Sequence, residues 1–216
     1  AKAARIKCVN NLSSIGKATL GFSQDNNSRT PWNLIKSQSL NHFNKNTPTL
    51  DAGHIFGLSA MKSEVQTAKI LVSPCDAART AANEVLQDRW ATINTKGDSP
   101  VKSGKNGNSD ADGETSYIFC QGGDFQRPAT VVSLTRNLAD GQNLGNGNWA
   151  GADDTTLNAQ AMAGLNKSQG QLVRADGSAT QSTDADLGTS GKVVKGHINA
   201  RGGTSPLGAS STAVIR

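Results

Sequence analysis

The segment 106–114, Asn-Gly-Asn-Ser-Asp-Ala-Asp-Gly-Glu, carries the side chains of this chain best suited to bind a metal ion. Its alternating oxygen-bearing residues, followed by a glycine, match the first half of a calcium-binding loop, where such side chains converge and the glycine allows a sharp turn. A further carboxylate follows that glycine directly. The candidate calcium ligands are therefore Asn108, Asp110, Asp112 and Glu114.

The second half of this segment departs from the calcium-loop pattern. Phe119 stands twelfth from Asn108, where a bidentate glutamate normally completes the ligand set. Glu114 or a carbonyl oxygen from elsewhere would have to replace it. Two interpretations stay open, a weak calcium site and a solvent-exposed turn rich in Asx residues. Calcium is the one cofactor that the sequence suggests.

Residues with catalytic potential are isolated from one another along the chain. His42, His54 and His197 lie outside any His-Glu-x-x-His motif, and no Gly-x-Ser-x-Gly nucleophile elbow is present. The Gly/Asn run 145–148 lacks the Lys-Ser/Thr ending of a phosphate-binding loop and is typical of turns. We therefore predict that the protein is not an enzyme and that its histidines have packing or surface roles.

Composition predicts one domain over residues 1–216, with a modest core and long loops. Only 35% of the residues are apolar and 4% are aromatic. The net charge is +5, yet the tryptophans are not interleaved with Lys or Arg, so nucleic acid is not expected as a partner. These residues contain no run of 18 or more apolar side chains that would cross a membrane.

The first 24 residues are predicted to form a helix. Cys8, Leu12, Ile15, Thr19 and Phe22 recur at spacings of four, three, four and three, which gives one largely apolar face. No capping residue precedes this run and the chain begins without Met, so we expect it to be the rear part of a longer helix. The helix should end near residue 24, because a polar stretch and then a proline follow.

Residues 25–114 are predicted to be a helical and loop insertion. The stretch 30–53 has no clear period and is expected to be irregular. Apolar spacing predicts a helix over 55–68, a short strand over 69–72 and a further helix over 77–93, before a polar loop over 95–114.

Residues 115–216 are predicted to contain an antiparallel sheet and a C-terminal tail. Strands are expected at 115–120 and 130–134, where β-branched and aromatic residues are frequent. The pair Asp176-Gly177 between segments 171–174 and 179–182 predicts a hairpin. The Gly/Asn-rich stretch 137–158 should be loop, a short helix is expected near 185–197, and the remainder should wrap the surface. Helices followed by strands indicate the α+β class.

Several stretches resemble one family. Residues 3–12 with Ile15-Gly16 resemble the segment after the membrane helix of type II secretion pseudopilins, in particular the Planctomycetes-type "H-x9-DG" group with its RxxCxNNLxxIG signature. Residues 70–76 resemble the F-x-C-P-S-D stretch of that group with the cysteine displaced by two, and 116–118 resembles its SY strand. Asn166 to Asp176-Gly177 has the H-x9-DG spacing, with Asn where His is typical.

The resemblance implies a pilin-like fold, in which an N-terminal helix packs on a small antiparallel sheet with long loops. It also implies a non-enzymatic subunit of a type II secretion or type IV pilus-like filament. Its partners would be other pseudopilin subunits and inner-membrane components of the secretion system. An apolar helix ahead of residue 1 would anchor it in the inner membrane with its domain in the periplasm, or the subunit would belong to an extracellular filament. Major pseudopilins of related systems hold calcium in a loop near the sheet, which supports the site at 106–114.

The alternative to a filament subunit is a stand-alone periplasmic or surface module that binds carbohydrate or a secreted protein.

Three cysteines allow one disulfide and one free thiol in an envelope protein. Cys75 and Cys120 each end an apolar strand-like run, so this pair is the favoured disulfide. Cys8–Cys75 is the alternative pair, and three reduced, buried thiols are the third interpretation.

The stretch from Asn166 to Gly177 also has two interpretations. In the structural one, which we favour, Asp176-Gly177 makes a turn and Asn166 caps or bonds nearby backbone. In the functional one, the stretch contacts a neighbouring subunit.

Overall fold

The computed structural model describes residues 2–46, 49–82, 113–139, 143–154 and 160–216, and all statements below concern these residues. The helices are α1 (Lys2–Gln24), α2 (Lys36–Phe43), α3 (Ala52–Phe56), α4 (Ser59–Val65) and α5 (Lys192–Asn199). The strands are β1 (Tyr117–Cys120), β2 (Val131–Thr135), β3 (Leu138–Ala139), β4 (Asn148–Trp149), β5 (Gly170–Arg174), β6 (Ala179–Ser182) and β7 (Val214–Ile215).

The main sheet has five strands in the order β6-β5-β2-β1-β7, and each adjacent pair is antiparallel. Helix α1 lies across one face, where it contacts β5, β6 and β2, and α4 packs beside it. The opposite face is covered by α5 and by the small β3–β4 pair. The α+β prediction of an N-terminal helix on a small antiparallel sheet is therefore confirmed.

Strand β1 is buried on both faces, and its side chains divide the core into two layers. Tyr117 and Phe119 join the cluster under α1, while Ile118 and Cys120 join the cluster under α5. Successive side chains of a strand point to opposite faces, so a strand covered on both sides is apolar throughout. This central position explains why the sequence Tyr-Ile-Phe-Cys contains no charged residue.

The predicted apolar face of α1 is confirmed, because all five of its residues are buried. Leu12 and Ile15 are 0% exposed, and each such side chain contributes about 1.5–3 kcal/mol by leaving water. Gly16 allows the close approach to the sheet, since a Cβ there would lie only 2.9 Å from Cγ2 of Val173. The helix is continuous through Gly16 and ends at Gln24, as predicted.

Three predicted elements differ from the structure in the insertion. The helix over 55–68 is two helices, α3 and α4, because Leu58 adopts an extended backbone and places its side chain in the core. The predicted strand 69–72 is a 3-10 turn over Ala68–Leu71, where burial of the first and last residues fits three residues per turn. The stretch predicted as irregular contains α2.

The helix predicted over 77–93 is absent from 77–82, and its remaining residues lie outside the described part. In the Gly/Asn-rich region, short strands β3 and β4 form where a loop was expected. The hairpin is confirmed as β5–β6, with Gly177 at a φ of +88° in the turn. The helix predicted over 185–197 is a 3-10 turn at Asp184–Asp186 followed by α5, because a turn with Gly188 at a φ of +83° separates them.

The C-terminal tail, predicted to wrap the surface, also contributes a strand to the main sheet. Its last segment forms β7, which pairs with β1 through Phe119–Ile215 and Cys120–Val214. The carbonyl of Arg216 accepts a hydrogen bond of 3.0 Å from the backbone N–H of Ala52. The tail therefore joins the sheet edge to the start of α3.

Candidate functional site

A buried polar network joins α1 to the sheet at the motif that carries the family resemblance. Asn11 Nδ2 donates to the Tyr117 hydroxyl at 3.1 Å, and that hydroxyl donates to Cys8 Sγ at 3.4 Å. The Cys8 thiol in turn donates to Oε1 of Gln171 at 3.3 Å. The polar members of the motif thus fix the position of the helix on β1 and β5.

The network contains no reactive nucleophile. Burial raises the pKa of the Cys8 thiol to about 11, and burial likewise raises the pKa of Tyr117 well above its usual value. Both groups are therefore protonated at neutral pH, whereas a nucleophilic cysteine needs its thiolate form. The arrangement can hold the helix in register, and we assign it no catalytic role.

The disulfide predicted between Cys75 and Cys120 is wrong, because all three cysteines are free thiols in the structure. Cys75 packs with Met162 and Leu165 beside Ala4 of α1. Cys120 lies in the cluster on the α5 side of the sheet, since its position in β1 points it away from α1. The two sulfurs therefore belong to separate clusters. The alternative Cys8–Cys75 pair is not formed either.

Only one of the four predicted calcium ligands lies within the described residues. Asn108, Asp110 and Asp112 lie outside the described residues, while Glu114 is half-buried three residues before β1. Across the described ranges, no three His, Cys, Asp or Glu side chains are grouped so that they could hold a metal ion. Calcium binding by the 106–114 segment stays a prediction.

The three histidines occupy separate positions with hydrogen-bonding roles. His42 Nε2 lies 2.8 Å from Oδ1 of Asn26, and His54 Nδ1 lies 2.9 Å from Oδ1 of Asp51 at the start of α3. His197 is fully buried on α5. The structure brings none of the three together with another.

The structure separates the two ends of the Asn166–Gly177 stretch. Asn166 is exposed in the turn that leads into β5, where its carbonyl accepts from the N–H of Gln169 at 3.2 Å. Asp176 lies beyond the other end of β5 and accepts a hydrogen bond of 2.9 Å from the Ser178 N–H. The Ser178 hydroxyl, which also donates to Asp176, is the main cause of the lowered pKa of that carboxyl. Turn formation by Asp176-Gly177 is confirmed, and a subunit contact by this stretch stays a prediction.

A loop over residues 201–210 is held by a buried carboxylate that sequence reasoning missed. Asp124 Oδ2 accepts the backbone N–H groups of Thr204 at 2.7 Å and of Ser205 at 2.9 Å. Asp124 is 1% exposed, and it lies about 80 residues away from its partners in sequence. No local pattern around Asp124 indicates this contact, because an isolated aspartate after Gly-Gly is equally typical of an exposed turn.

One side of this loop forms a neutral cavity of about 260 Å³, here called the Trp32 cavity. Its lining includes Trp32, Asn33, Gln121, Leu207 and Ile215, and none of its lining residues is charged. Trp32 Nε1 and both polar side-chain atoms of Asn33 are buried and have no hydrogen-bond partner in the described part of the chain. Such unpaired groups each cost about 1–3 kcal/mol, so they are a reason to expect a ligand or bound water here.

Comparison with known proteins leaves the family open. No family model matches the chain, and no curated protein or solved structure is significantly similar to it. Within the residues that the structure describes, we find no helix with both the length and the apolar content needed to cross a membrane.

Proposed function

We propose that this chain is a non-enzymatic, pseudopilin-like subunit of a type II secretion or type IV pilus-like filament and acts by assembly in the cell envelope. The observation that carries the proposal is the two-part character of α1. Its residues from Cys8 to Ser23 supply a buried face against the sheet, whereas none of residues 2–7 is buried. A filament subunit needs such a helix, anchored at one end and available to neighbours at the other.

The front of α1 offers an apolar side chain for that contact. Ile6 is 52% exposed, the exposed Ala3 lies three residues before it on the same helix face, and Lys2 and Lys7 flank this face. Isolated exposed apolar residues are common on protein surfaces, so the exposure of Ile6 alone does not indicate a contact. Its position at the front of α1 is what supports a role in subunit contact. Neighbouring subunits would bury it and thereby gain hydrophobic free energy.

The remaining parts of the proposal rest on the family resemblance. An apolar helix ahead of residue 1 would anchor the subunit in the inner membrane and then join the filament core. The domain described here would face the periplasm or the outside of the filament. Its partners would be other pseudopilins and inner-membrane components of the secretion system.

The test is a pair of matched substitutions in the full-length gene product, expressed in its own host. We expect Ile6→Asp to abolish filaments seen by electron microscopy, since the charge would lie in the subunit contact. The control is Ile35→Asp, because Ile35 is 46% exposed but precedes α2 rather than lying on α1. The Ile6→Asp variant of the 216-residue chain should unfold within about 0.5 kcal/mol of the parent, as surface changes do. The Ile35→Asp variant should be at least as stable as the parent, because Ile35 is the N-cap residue of α2 and Asp is a favourable N-cap.

Two results would contradict the proposal. One is normal assembly of the Ile6→Asp protein. The other is a full-length gene that encodes no apolar segment of about 20 residues ahead of this chain.

The Trp32 cavity favours a second candidate, a periplasmic or surface module that binds a neutral carbohydrate. An indole ring, amide side chains and hydroxyl groups on an uncharged lining suit a ligand with hydroxyl groups and apolar faces. Under this alternative, neutral oligosaccharides should change the fluorescence of Trp32 on titration. Trp32→Phe keeps an aromatic ring but removes the indole N–H, so it should weaken binding and remove the signal. Absence of any response to a panel of neutral sugars would reject this candidate.

A further inference from the structure

The other side of the 201–210 loop forms a second cavity, of about 470 Å³, at the C-terminal end of α5. We call it the Arg127 cavity. Its lining includes Arg127, Asn199, Arg201, Gly208 and Ser210. None of the residues that line it is acidic, and two are arginines. The two cavities that flank one loop therefore differ in charge.

Arg127 is buried at 4% exposure, and only part of its guanidinium is engaged. Its Nε donates to the carbonyl of Gly202, and its Nη2 donates to the carbonyl of Ser205 at 3.4 Å. Nη1 is buried and finds no hydrogen-bond partner among the described residues. Burying a charged donor without a hydrogen-bond partner costs more free energy than burying a neutral one. The two carbonyl contacts therefore leave one buried donor of this arginine unsatisfied among the described residues.

Asp124 lies close to Arg127 but forms no hydrogen bond with it. The shortest contact between the two groups is 3.8 Å, from Nη2 to Oδ2, which is too long for a hydrogen bond. The Asp124 oxygens are already used by backbone N–H groups, at 2.7 Å from Thr204, 2.9 Å from Ser205 and 2.9 Å from Gln126. The carboxylate therefore offsets part of the positive charge of Arg127 without a direct hydrogen bond, and it leaves Nη1 without a hydrogen-bond partner among the described residues. That charge is also one cause of the lowered pKa of His197.

The unpaired nitrogen lies next to the cavity wall. A Cβ placed on Gly208 would be 3.7 Å from Nη1, so this glycine, which has no side chain, lies close to the nitrogen. Arg201 and Ser210, both exposed, line the same cavity. The end of α5 contributes about half a negative charge from its last carbonyls, which is less than the two full charges of the arginines. With the full negative charge of the nearby Asp124 also counted, the cavity keeps a small net positive charge.

We propose that the Arg127 cavity binds a small oxyanion, a carboxylate or phosphate group, on Arg127 Nη1, with the Arg201 side chain and the Ser210 hydroxyl completing the site. Guanidinium groups suit these ligands because their N–H bonds match the geometry of carboxylate and phosphate oxygens. Since Nη1 is shielded from solvent, the wall at 208–210 must shift when the oxyanion binds. This inference is independent of the proposed filament role.

The experiment is a titration of the isotopically labelled 216-residue chain with inorganic phosphate and, separately, with citrate, followed by amide chemical shifts. Ionic strength is held constant with sodium chloride, which also serves as the non-oxyanion control. We expect saturable shifts at residues 208–210 and around Arg127. Stronger binding of citrate would identify a carboxylate ligand, and stronger binding of phosphate would identify a phosphate ligand.

Two substitutions that each remove one positive charge distinguish binding at this site from a general attraction of anions to a basic protein. Arg201→Gln should weaken binding about threefold to fivefold, the upper part of the range for one exposed charge contact. Lys195→Gln removes an equal charge from an exposed residue of α5 outside the cavity lining, and it should change affinity less than about twofold. Arg127→Lys should weaken binding more than about tenfold, because the charge stays but the Nη1 donor is lost.

Unfolding curves of each variant establish that it is folded, and Arg201→Gln keeps the test valid if Arg127→Lys does not fold. The proposal is overturned if neither anion causes saturable shifts at 208–210. It is equally overturned if Arg201→Gln and Lys195→Gln weaken binding by the same factor.

Discussion

The imidazole Nδ1 of His197 accepts a hydrogen bond of 3.0 Å from the backbone N–H of Val131, so the histidine of α5 takes the place of a carbonyl acceptor on a neighbouring strand. The opposite ring nitrogen, Nε2, donates to the carbonyl of Ser211 at 2.9 Å. These two bonds require the neutral tautomer with its proton on Nε2. Protonation of Nδ1 would therefore break the link between α5 and β2.

Stability should fall on mild acidification because of this histidine. Burial is the main reason for the lowered pKa of His197 in the folded protein; the positive charge of Arg127 adds to it, and the bond to Ser211 opposes it. The unfolded chain, with a histidine pKa of about 6.5, binds the proton first as pH falls. The contribution of His197 is thus present above about pH 6.5 and is lost as pH falls toward the folded-state pKa. Urea unfolding at a series of pH values measures this loss.

The control for this prediction is His197→Asn. The amide oxygen can accept from Val131 but does not titrate, so the variant should be less stable at neutral pH and should lose less stability on acidification. Equal losses in the parent and the variant would contradict the prediction.

The buried face of α1 should dominate the stability of the domain. Ile15→Ala should lower the free energy of unfolding by about 2–5 kcal/mol, because it removes apolar contacts and leaves a cavity. Ile6→Ala, on the same helix but exposed, should change it by less than about 0.5 kcal/mol. Urea unfolding of the pair measures the difference, and similar values for the two variants would show that α1 does not pack as described.

The polar network under α1 should show energetic coupling between Cys8 and Tyr117. Tyr117→Phe removes the hydroxyl that donates to Cys8 and accepts from Asn11, which should cost about 1–2 kcal/mol. In a double-mutant cycle with Cys8→Ala, the combined loss should be smaller than the sum of the single losses. Strict additivity would mean that the sulfur–hydroxyl contact contributes nothing.

Chemical counting of thiols should find three per chain without prior reduction. In the denatured protein Cys8, Cys75 and Cys120 should all react, because each is a free thiol. In the native protein the reaction should be slow, since burial raises the pKa of all three. The control is the same count after reduction, which should be unchanged. A count of one thiol before reduction would indicate that the other two cysteines form a disulfide.

Calcium should bind weakly to the 106–114 segment. Asn108, Asp110 and Asp112 supply up to three ligand oxygens, whereas calcium takes six to eight, so the affinity should be about millimolar. Thermal unfolding with calcium and with chelator measures the effect, and Asp110→Asn should remove it. At about a hundredfold excess over the dissociation constant the gain should approach 2.7 kcal/mol. No shift at high calcium would leave the exposed-turn interpretation.

The elements that sequence analysis predicted well are those with a strong local pattern. The apolar face of α1 has a clear helical period. The strand predicted over 115–120 is rich in β-branched and aromatic residues, and Asp176-Gly177 is a turn signal between two alternating segments. In contrast, α2 and β7 have no such pattern, because their formation depends on contacts with distant parts of the chain. Leu58 likewise breaks a helical period only because the core provides a place for its side chain.

The candidate sites were less predictable than the fold. The Arg127 cavity requires Arg127, Arg201 and Ser210 to meet across about 80 residues of sequence, and nothing near Arg127 in the chain indicates this. The incorrect Cys75–Cys120 disulfide has a similar cause. Both cysteines follow apolar runs, but Cys75 lies in a turn near the start of α1, whereas Cys120 points from β1 toward α5, and the local sequence specifies neither position.

The pairing of β7 with β1 has a consequence for the behaviour of the protein at high concentration. β7 occupies the outer edge of β1, a strand composed entirely of apolar or aromatic residues. An uncovered strand of this kind offers free N–H and C=O groups to other chains and promotes intermolecular pairing. The two residues of β7, with Arg216 hydrogen-bonded to the start of α3, thus cover the edge of this apolar strand, and loss of that short cover would expose β1 to pairing with other chains.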